Sequence, residues 1–267
     1  MGTLAKQLCA PASLSERLLL RLSRKPDAGD CVGGQPEWTV GNALDKLCAM
    51  FPGLFQMIEG KEILDFGCGL GYQTAAMALR GAKRVVGVDL RADHLELASA
   101  MLRSLGLQER AEVKHGIGPE LSGKFDLVIS QNSMEHYTDP VGCLSEMARA
   151  LKADGKILLT FGPPWYAPLG SHMHFFTRVP WVNILFSEKT VMSVRRNFRN
   201  DGATRYEEVE GGLNRMSLKK FDRVVDEAGL RPLNRRYFGV KRFDLPTKLP
   251  FLKELFTNNV ASELVRK

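Results

Sequence analysis

An α/β fold built around a mostly parallel sheet is the architecture this sequence predicts. Three observations carry that expectation. Short apolar runs alternate with helical patterns from Lys61 to Phe161, joined by short links. The first run, Ile63 to Phe66, enters a glycine-rich turn, Gly67-Cys68-Gly69-Leu70-Gly71, which opens a helix. An acid stands at the end of each of the first two strands, Asp65 and Asp89.

Taken in order, Ser13-Leu14-Ser15-Glu16 has the capping-box pattern and predicts a short helix ending near Ser23. Lys25 to Gln35 reads as a loop. Trp38 to Phe51 has helical spacing with Val40, Leu44, Leu47 and Met50 on one face. Lys61–Phe66 and Lys83–Val88 read as the first two strands, with a helix to Arg80 between them. An amphipathic helix over Ala92–Leu105 leads to a third strand, Ala111–His115, and Gly116-Ile117-Gly118. The fourth strand is Phe125–Gln131, and Asp139-Pro140 starts a helix running to Leu151. Asp154-Gly155 then turns the chain into a fifth strand, Lys156–Phe161.

The glycine turn lets the backbone bend sharply and lets a ligand lie against the main chain. The helix behind it offers unpaired N–H groups. It reads as a floor for a nucleotide-like ligand, or as a tight strand–helix turn with none. The dinucleotide fingerprint would place a third glycine where Tyr72 stands, which speaks against a nicotinamide cofactor. A carboxylate at Asp65 repels a pyrophosphate and suits an ammonium group. Asp89, 18 residues beyond Gly71, is placed to accept both hydrogen bonds of a ribose diol.

Asp65-Phe66-Gly67-Cys68-Gly69-Leu70-Gly71 resembles the first motif of class I S-adenosylmethionine (SAM) dependent methyltransferases. Phe125-Asp126-Leu127-Val128 followed by Glu135-His136 and Asp139-Pro140 resembles the type 11-like small-molecule members of that class. The resemblance covers Lys61 to Phe161 by motif and Ser217 to Lys267 by pattern. It implies a Rossmann-like sheet of seven strands, the last antiparallel, with helices on both faces. It also implies SAM as cofactor. Asp65, Gly67, Cys68, Gly69 and Gly71 would then hold the methionine part and Asp89 with Leu90 the ribose. Gly116 and Ile117 would border the adenine, and Gln131 the sulfonium. Ile117 departs from the family, which often carries an acid there. The Trp38–Phe51 helix either covers the SAM pocket or packs on the sheet edge. Glu135 and His136 either orient an acceptor or cap the next helix.

Residues 162–216 break the alternation and read as an aromatic lid or substrate insertion at the carboxyl edge of the sheet. His172 and His174 are the first candidates for a general base, with His136 as a third. An extended segment would put His172 and His174 on one side; they either act or simply pack the lid. Thr190–Asn197 reads as a helix. Its Arg195, Arg196 and Arg199, beside the apolar Trp181–Phe186 run, suit a membrane surface, a lipid phosphate, the lid's underside or a dimer contact. A helix over Leu218–Ala228, a strand over Arg231–Gly239, a short helix over Pro246–Phe256 and a strand over Asn259–Arg266 would complete the core. The chain thus divides into a helical cap (1–60), a SAM-binding core (61–161), the insertion (162–216) and the completion of the core (217–267).

Composition sets the outer limits. The chain has 267 residues and no run of about 18 apolar ones, so no transmembrane helix is expected. Lys6 stands where a myristoylation site needs Ser or Thr. Five scattered cysteines, none paired at zinc-like spacing, suit reduced thiols in a cytoplasmic protein without a bound metal. Residues 178–267 hold 19 basic and 11 acidic side chains, against 18 and 19 before them. That bias suits an anionic partner or a solvated basic face.

The function these features point to is SAM-dependent methyl transfer to an O or N atom of a small-molecule or glycan-type acceptor, by a monomer or homodimer. Peripheral membrane contact is compatible with it. Nucleic acid is disfavoured, because Gln131-Asn132-Ser133-Met134 is not the Asn/Asp-Pro-Pro-aromatic turn of base methylation. The alternative is a non-catalytic SAM-binding scaffold whose basic final third docks an anionic partner.

Overall fold

The computed structural model describes residues 13–24, 38–240 and 244–267. The Lys25–Gln35 loop, Cys9, Cys31 and the first residues of the chain lie outside them.

The sheet has seven strands: β1 (Glu62–Phe66), β2 (Arg84–Asp89), β3 (Ala111–His115), β4 (Phe125–Gln131), β5 (Leu151–Phe161), β6 (Leu230–Gly239) and β7 (Thr257–Arg266). Their order is β3-β2-β1-β4-β5-β7-β6. β1, third in that order, pairs in parallel with β2 and β4. β7 is antiparallel to both neighbours, so β6 points the same way as β5. The chain order reverses between β1 and β4, where an open α/β sheet leaves a crevice at its carboxyl edge. The expected reversed last strand is present.

β5 differs from the expectation. It begins directly at Leu151, and Asp154-Gly155 lies inside it as an irregularity. Phe125 pairs with Leu151, while Leu127 already pairs with Lys156. A Cβ on Gly155 would stand 2.9 Å from the Phe125 carbonyl oxygen, so the strand closes over β4 only where no side chain intervenes.

Each sheet face is covered because alternate residues of these strands are apolar. On one face Leu64, Val128, Ile157 and Phe161 pack under α6 (Pro140–Ala150) and α9 (Leu218–Glu227). Phe161 and Phe221, both fully buried, meet there at 4.8 Å between ring centres. On the other, Ile63, Leu127, Ile129 and Leu158 pack under α2 (Asp45–Met50), α3 (Leu54–Ile58), α4 (Tyr72–Leu79) and α5 (Ala92–Ser104).

A third core belongs to the insertion. Met173, Phe176, Val191, Val194 and Tyr206 bury one another between α7 (Val182–Leu185) and α8 (Glu188–Arg195). α1 (Leu14–Arg21) joins this core through Leu19, and Ser15 Oγ lies 3.3 Å from Thr190 Oγ1. Its capping box is formed as expected: Ser13 Oγ accepts from Glu16 N–H, and Ser13 N–H donates to Glu16. Arg195, one of the three arginines that suit a membrane surface, a lipid phosphate, the lid's underside or a dimer contact, is buried and paired with Asp201 at 2.6 Å. It holds the insertion together and does not face solvent. α10 (Pro250–Phe256) links β6 to β7.

Candidate active site

The carboxyl ends of β1, β2 and β4 enclose two cavities that share Gly67. The smaller, about 210 Å3, is bounded by Asp65, Cys68, Gln73 and Gln131, with Trp38 and Tyr72 supplying aromatic walls. The larger, about 590 Å3, holds Asp89, Leu90, Gly116, Ile117, Ser133 and His136 on its lining.

The glycine loop has the shape its composition requires. Gly67, Gly69 and Gly71 all have left-handed φ, at 81°, 52° and 76°. A Cβ on Gly71 would come within 2.7 Å of Ala98 on α5, so this glycine serves the approach of two helices and lines neither cavity. Gly69 lines neither cavity as well; its N–H donates to Asp89 Oδ2 at 2.8 Å. The other Asp89 oxygen accepts from Arg91 N–H at 3.0 Å. Asp89 therefore fastens the loop to the end of β2, and α5 starts without a side-chain cap from it.

Asp65 is 1% exposed. It accepts from Thr74 Oγ1 at 2.6 Å and from Gln73 Nε2 at 2.8 Å. Burial outweighs those bonds and raises its pKa to about 6, with Asp89 adding to the rise. A cation in the smaller cavity would lower it again. Opposite Asp65 in the sheet is Gly87, where a Cβ would sit 2.8 Å from Thr74 Oγ1 and 2.9 Å from Cys68 Sγ. Its bare backbone leaves room for the Thr74–Asp65 pair.

Among the described residues, three buried oxygens at the ends of β4 and β5 have no hydrogen-bond partner: Gln131 Oε1, Thr160 Oγ1 and Glu135 Oε2. Gln131 and Thr160 are paired in register. Glu135 is 4% exposed, its Oε1 accepts from Gly162 N–H at 3.3 Å, and burial raises its pKa. It is not a surface cap. Lys46 reaches the same strand end from α2 and donates to Asn132 Oδ1 at 2.9 Å; burial lowers its pKa, and Glu135 opposes the shift. Sequence reading missed Lys46, since a lysine in an amphipathic helix looks like solvated surface.

The three candidate bases end in different places. His136 lines the larger cavity. Its Nδ1 lies 2.8 Å from the Gly212 carbonyl, which can only accept, so Nδ1 carries the proton and Nε2 of the neutral ring is an acceptor. His172 Nε2 is buried without a partner among the described residues, and burial lowers the ring's pKa to about 4. Its ring meets that of His136 edge-on at 5.6 Å. His174 is exposed and lines neither cavity. The segment is turned rather than extended: His172 has φ of 56°, and a Cβ on Gly170 would stand 2.3 Å from the Pro164 carbonyl oxygen. Of the two imidazoles, that of His172 has its Nε2 buried and that of His174 is exposed. Among the described residues no group of three or more His, Cys, Asp or Glu side chains is arranged to hold a metal.

Fold and site together define a Rossmann-like sheet with a buried acid at the first strand end and a second acid tying down the glycine loop. Residues 64–159 match the family model described as a methyltransferase domain. Those 96 of the 267 residues carry a methyltransferase domain of the SAM-dependent type. A polyketide synthase, ThaQ, of Burkholderia thailandensis is 37% identical over 114 residues, which are 39% of this chain and 6% of that protein. A ubiquinone biosynthesis O-methyltransferase of Psychrobacter arcticus is 33% identical over 107 residues, 39% of this chain and 41% of the relative. The match thus spans well under half of each. A SAM-dependent methyltransferase from Mesorhizobium loti shares the fold at a TM-score of 0.54 and 19% identity, covering 85% of this chain and 99% of that one. SAM fits the residues present: a cationic ammonium suits buried Asp65, and the unpartnered Gln131 Oε1 lies beside it on the same cavity.

Proposed function

We propose that the chain transfers the methyl group of SAM to a hydroxyl oxygen of a small-molecule acceptor. The observation that carries this reading is the pair of cavities meeting at Gly67, one with buried Asp65 and one with Asp89. O-methyl transfer is also the reaction named for the Psychrobacter relative.

When bound, SAM supplies a methyl group already activated on a sulfonium, so the protein chiefly aligns the acceptor and excludes water. Asp65 would hold the ammonium, on the wall of the smaller cavity. Asp89 would accept from the ribose, and Gly116 and Ile117, on the same cavity, would border the adenine. Gln131 turns its free carbonyl oxygen toward positive charge. His136 Nε2 accepts the acceptor's hydroxyl proton, with the Gly212 carbonyl fixing the tautomer. His172 buttresses that ring from its edge and does not touch the acceptor. The insertion, residues 162–216, forms the lid over the acceptor.

The test is calorimetric titration with SAM and separately with NAD on wild type and Asp89→Ala. Methyl transfer from labelled SAM to panels of phenols, alcohols and amines follows. SAM binding that is lost in the variant, with label entering the hydroxyl panel, is expected. NAD binding without SAM binding would overturn the reading. SAM binding without transfer to any panel would favour a non-catalytic SAM-binding role.

A further inference from the structure

We propose that the cleft between the end of β6 and α10 is a docking site for an anionic phospholipid bilayer. The cleft encloses about 710 Å3 and is lined by four cations, Arg235, Arg236, Lys248 and Lys253, against one carboxylate, Asp244. That carboxylate is already engaged, accepting the Gly239 N–H at 2.6 Å. Arg235 is paired with Asp222, and Lys253 Nζ stands 3.5 Å above the Tyr237 ring. Arg236 and Lys248 have no ion-pair partner among the described residues. The cleft is therefore set up for negative charge from outside the chain.

The surface beside it is apolar and uncovered. Leu245 is 63% and Phe251 75% exposed, Leu249 is exposed between them, and no residue of α10 is buried. The apolar strip continues into the insertion, where Trp181 meets Phe256 at 5.8 Å and Ile184 and Leu185 are exposed. Exposed leucines and an aromatic ring bordering unpaired cations match a bilayer interface, where acyl chains receive the apolar groups and headgroup phosphates the cations. A protein partner would answer the apolar strip, and a nucleic acid the cations. The bilayer answers both at once.

The position of the cleft gives the docking a purpose. β6 runs parallel to β5, and Tyr237 and Phe161 both pair with Val260, so the cleft opens at the same rim of the sheet as the two cavities. A bilayer seated there meets the cavity side of the molecule. Resting on the proposed function, this implies an acceptor with a lipid-soluble body that is taken from the membrane.

The test is cosedimentation of the full chain with vesicles of equal parts phosphatidylcholine and phosphatidylglycerol, against phosphatidylcholine alone. The variants are Arg236→Ala with Lys248→Ala, Phe251→Ser, and Arg103→Ala on α5 as a remote control. Wild type should bind the mixed vesicles only. The double variant should lose about thirtyfold in partitioning, Phe251→Ser should lose binding in part, and the control should lose none. Equal binding to neutral vesicles, or unchanged binding of both site variants, would overturn the proposal. Capture of an RNA oligonucleotide with no vesicle binding would also overturn it. SAM titration of the same samples separates the two readings: intact SAM affinity shows that the variants fold, and absent SAM binding sinks the methyl-transfer reading while leaving vesicle binding to be judged separately.

Discussion

Asp89 Oδ2 accepts the backbone N–H of Gly69 at 2.8 Å across the mouth of the glycine loop. One carboxylate thus holds the loop in place, and the proposed function has it accept from a ribose as well. Asp89→Ala should weaken SAM binding by about a hundredfold, the worth of two charge-assisted hydrogen bonds. Asp89→Asn, which keeps one acceptor oxygen, should lose less. Titration calorimetry on the three proteins checks the order, and equal affinities would remove Asp89 from the cofactor site.

The raised pKa of Asp65, about 6, predicts proton release on binding. A cationic ligand favours the ionised carboxylate, so its pKa falls when SAM binds and protons leave the protein near pH 6. Calorimetry in two buffers of different ionisation enthalpy should show that release at pH 6, fading above neutrality, and Asp65→Asn should abolish it. Binding heats independent of the buffer would show that no cation approaches Asp65.

The three histidines should separate in turnover. His136→Ala should slow transfer to a hydroxyl acceptor by about 10²–10⁴-fold at unchanged SAM affinity. His172→Asn should cost less, because it disturbs only the orientation of His136, and its pH–rate profile should keep the shape of wild type. His174→Ala should leave the rate unchanged. A large loss in His174→Ala alone would relocate the base.

His172 also predicts how the protein responds to acid. Its folded pKa, about 4, lies below the ordinary 6.5. The native state therefore excludes a proton that the unfolded chain accepts. That contribution is fully present above about pH 6.5 and is lost as pH falls toward 4, amounting to about 3 kcal/mol. Denaturant midpoints of wild type should drop across this window. Those of His172→Asn, whose side chain tolerates the left-handed backbone, should drop less. Parallel curves would show that His172 titrates freely in the native state.

Much of this was legible in the chain because the core strands are short, apolar and closed by acids or glycines. Ala111–His115 and Phe125–Gln131 fall where their composition puts them. β5 started earlier than expected because Asp154-Gly155, a turn signal locally, is absorbed as an irregularity once β4 supplies hydrogen bonds. The histidines were harder. Spacing alone could not reveal that His172 would take a left-handed backbone and turn inward while His174 turned out. Lys46, Thr160 and Glu135 were invisible as a group, since α2, β5 and the turn after β4 meet only in three dimensions.

The contact that Gly71 makes possible has a thermodynamic consequence. With Ala98 seated where a side chain would otherwise stand, the loop's shape is imposed by the helices behind it. Little chain entropy then remains to be lost when a ligand arrives. Association should be governed by how quickly the entrance admits the ligand, and the loop itself should exchange its amide hydrogens at nearly the same rate whether the site is full or empty.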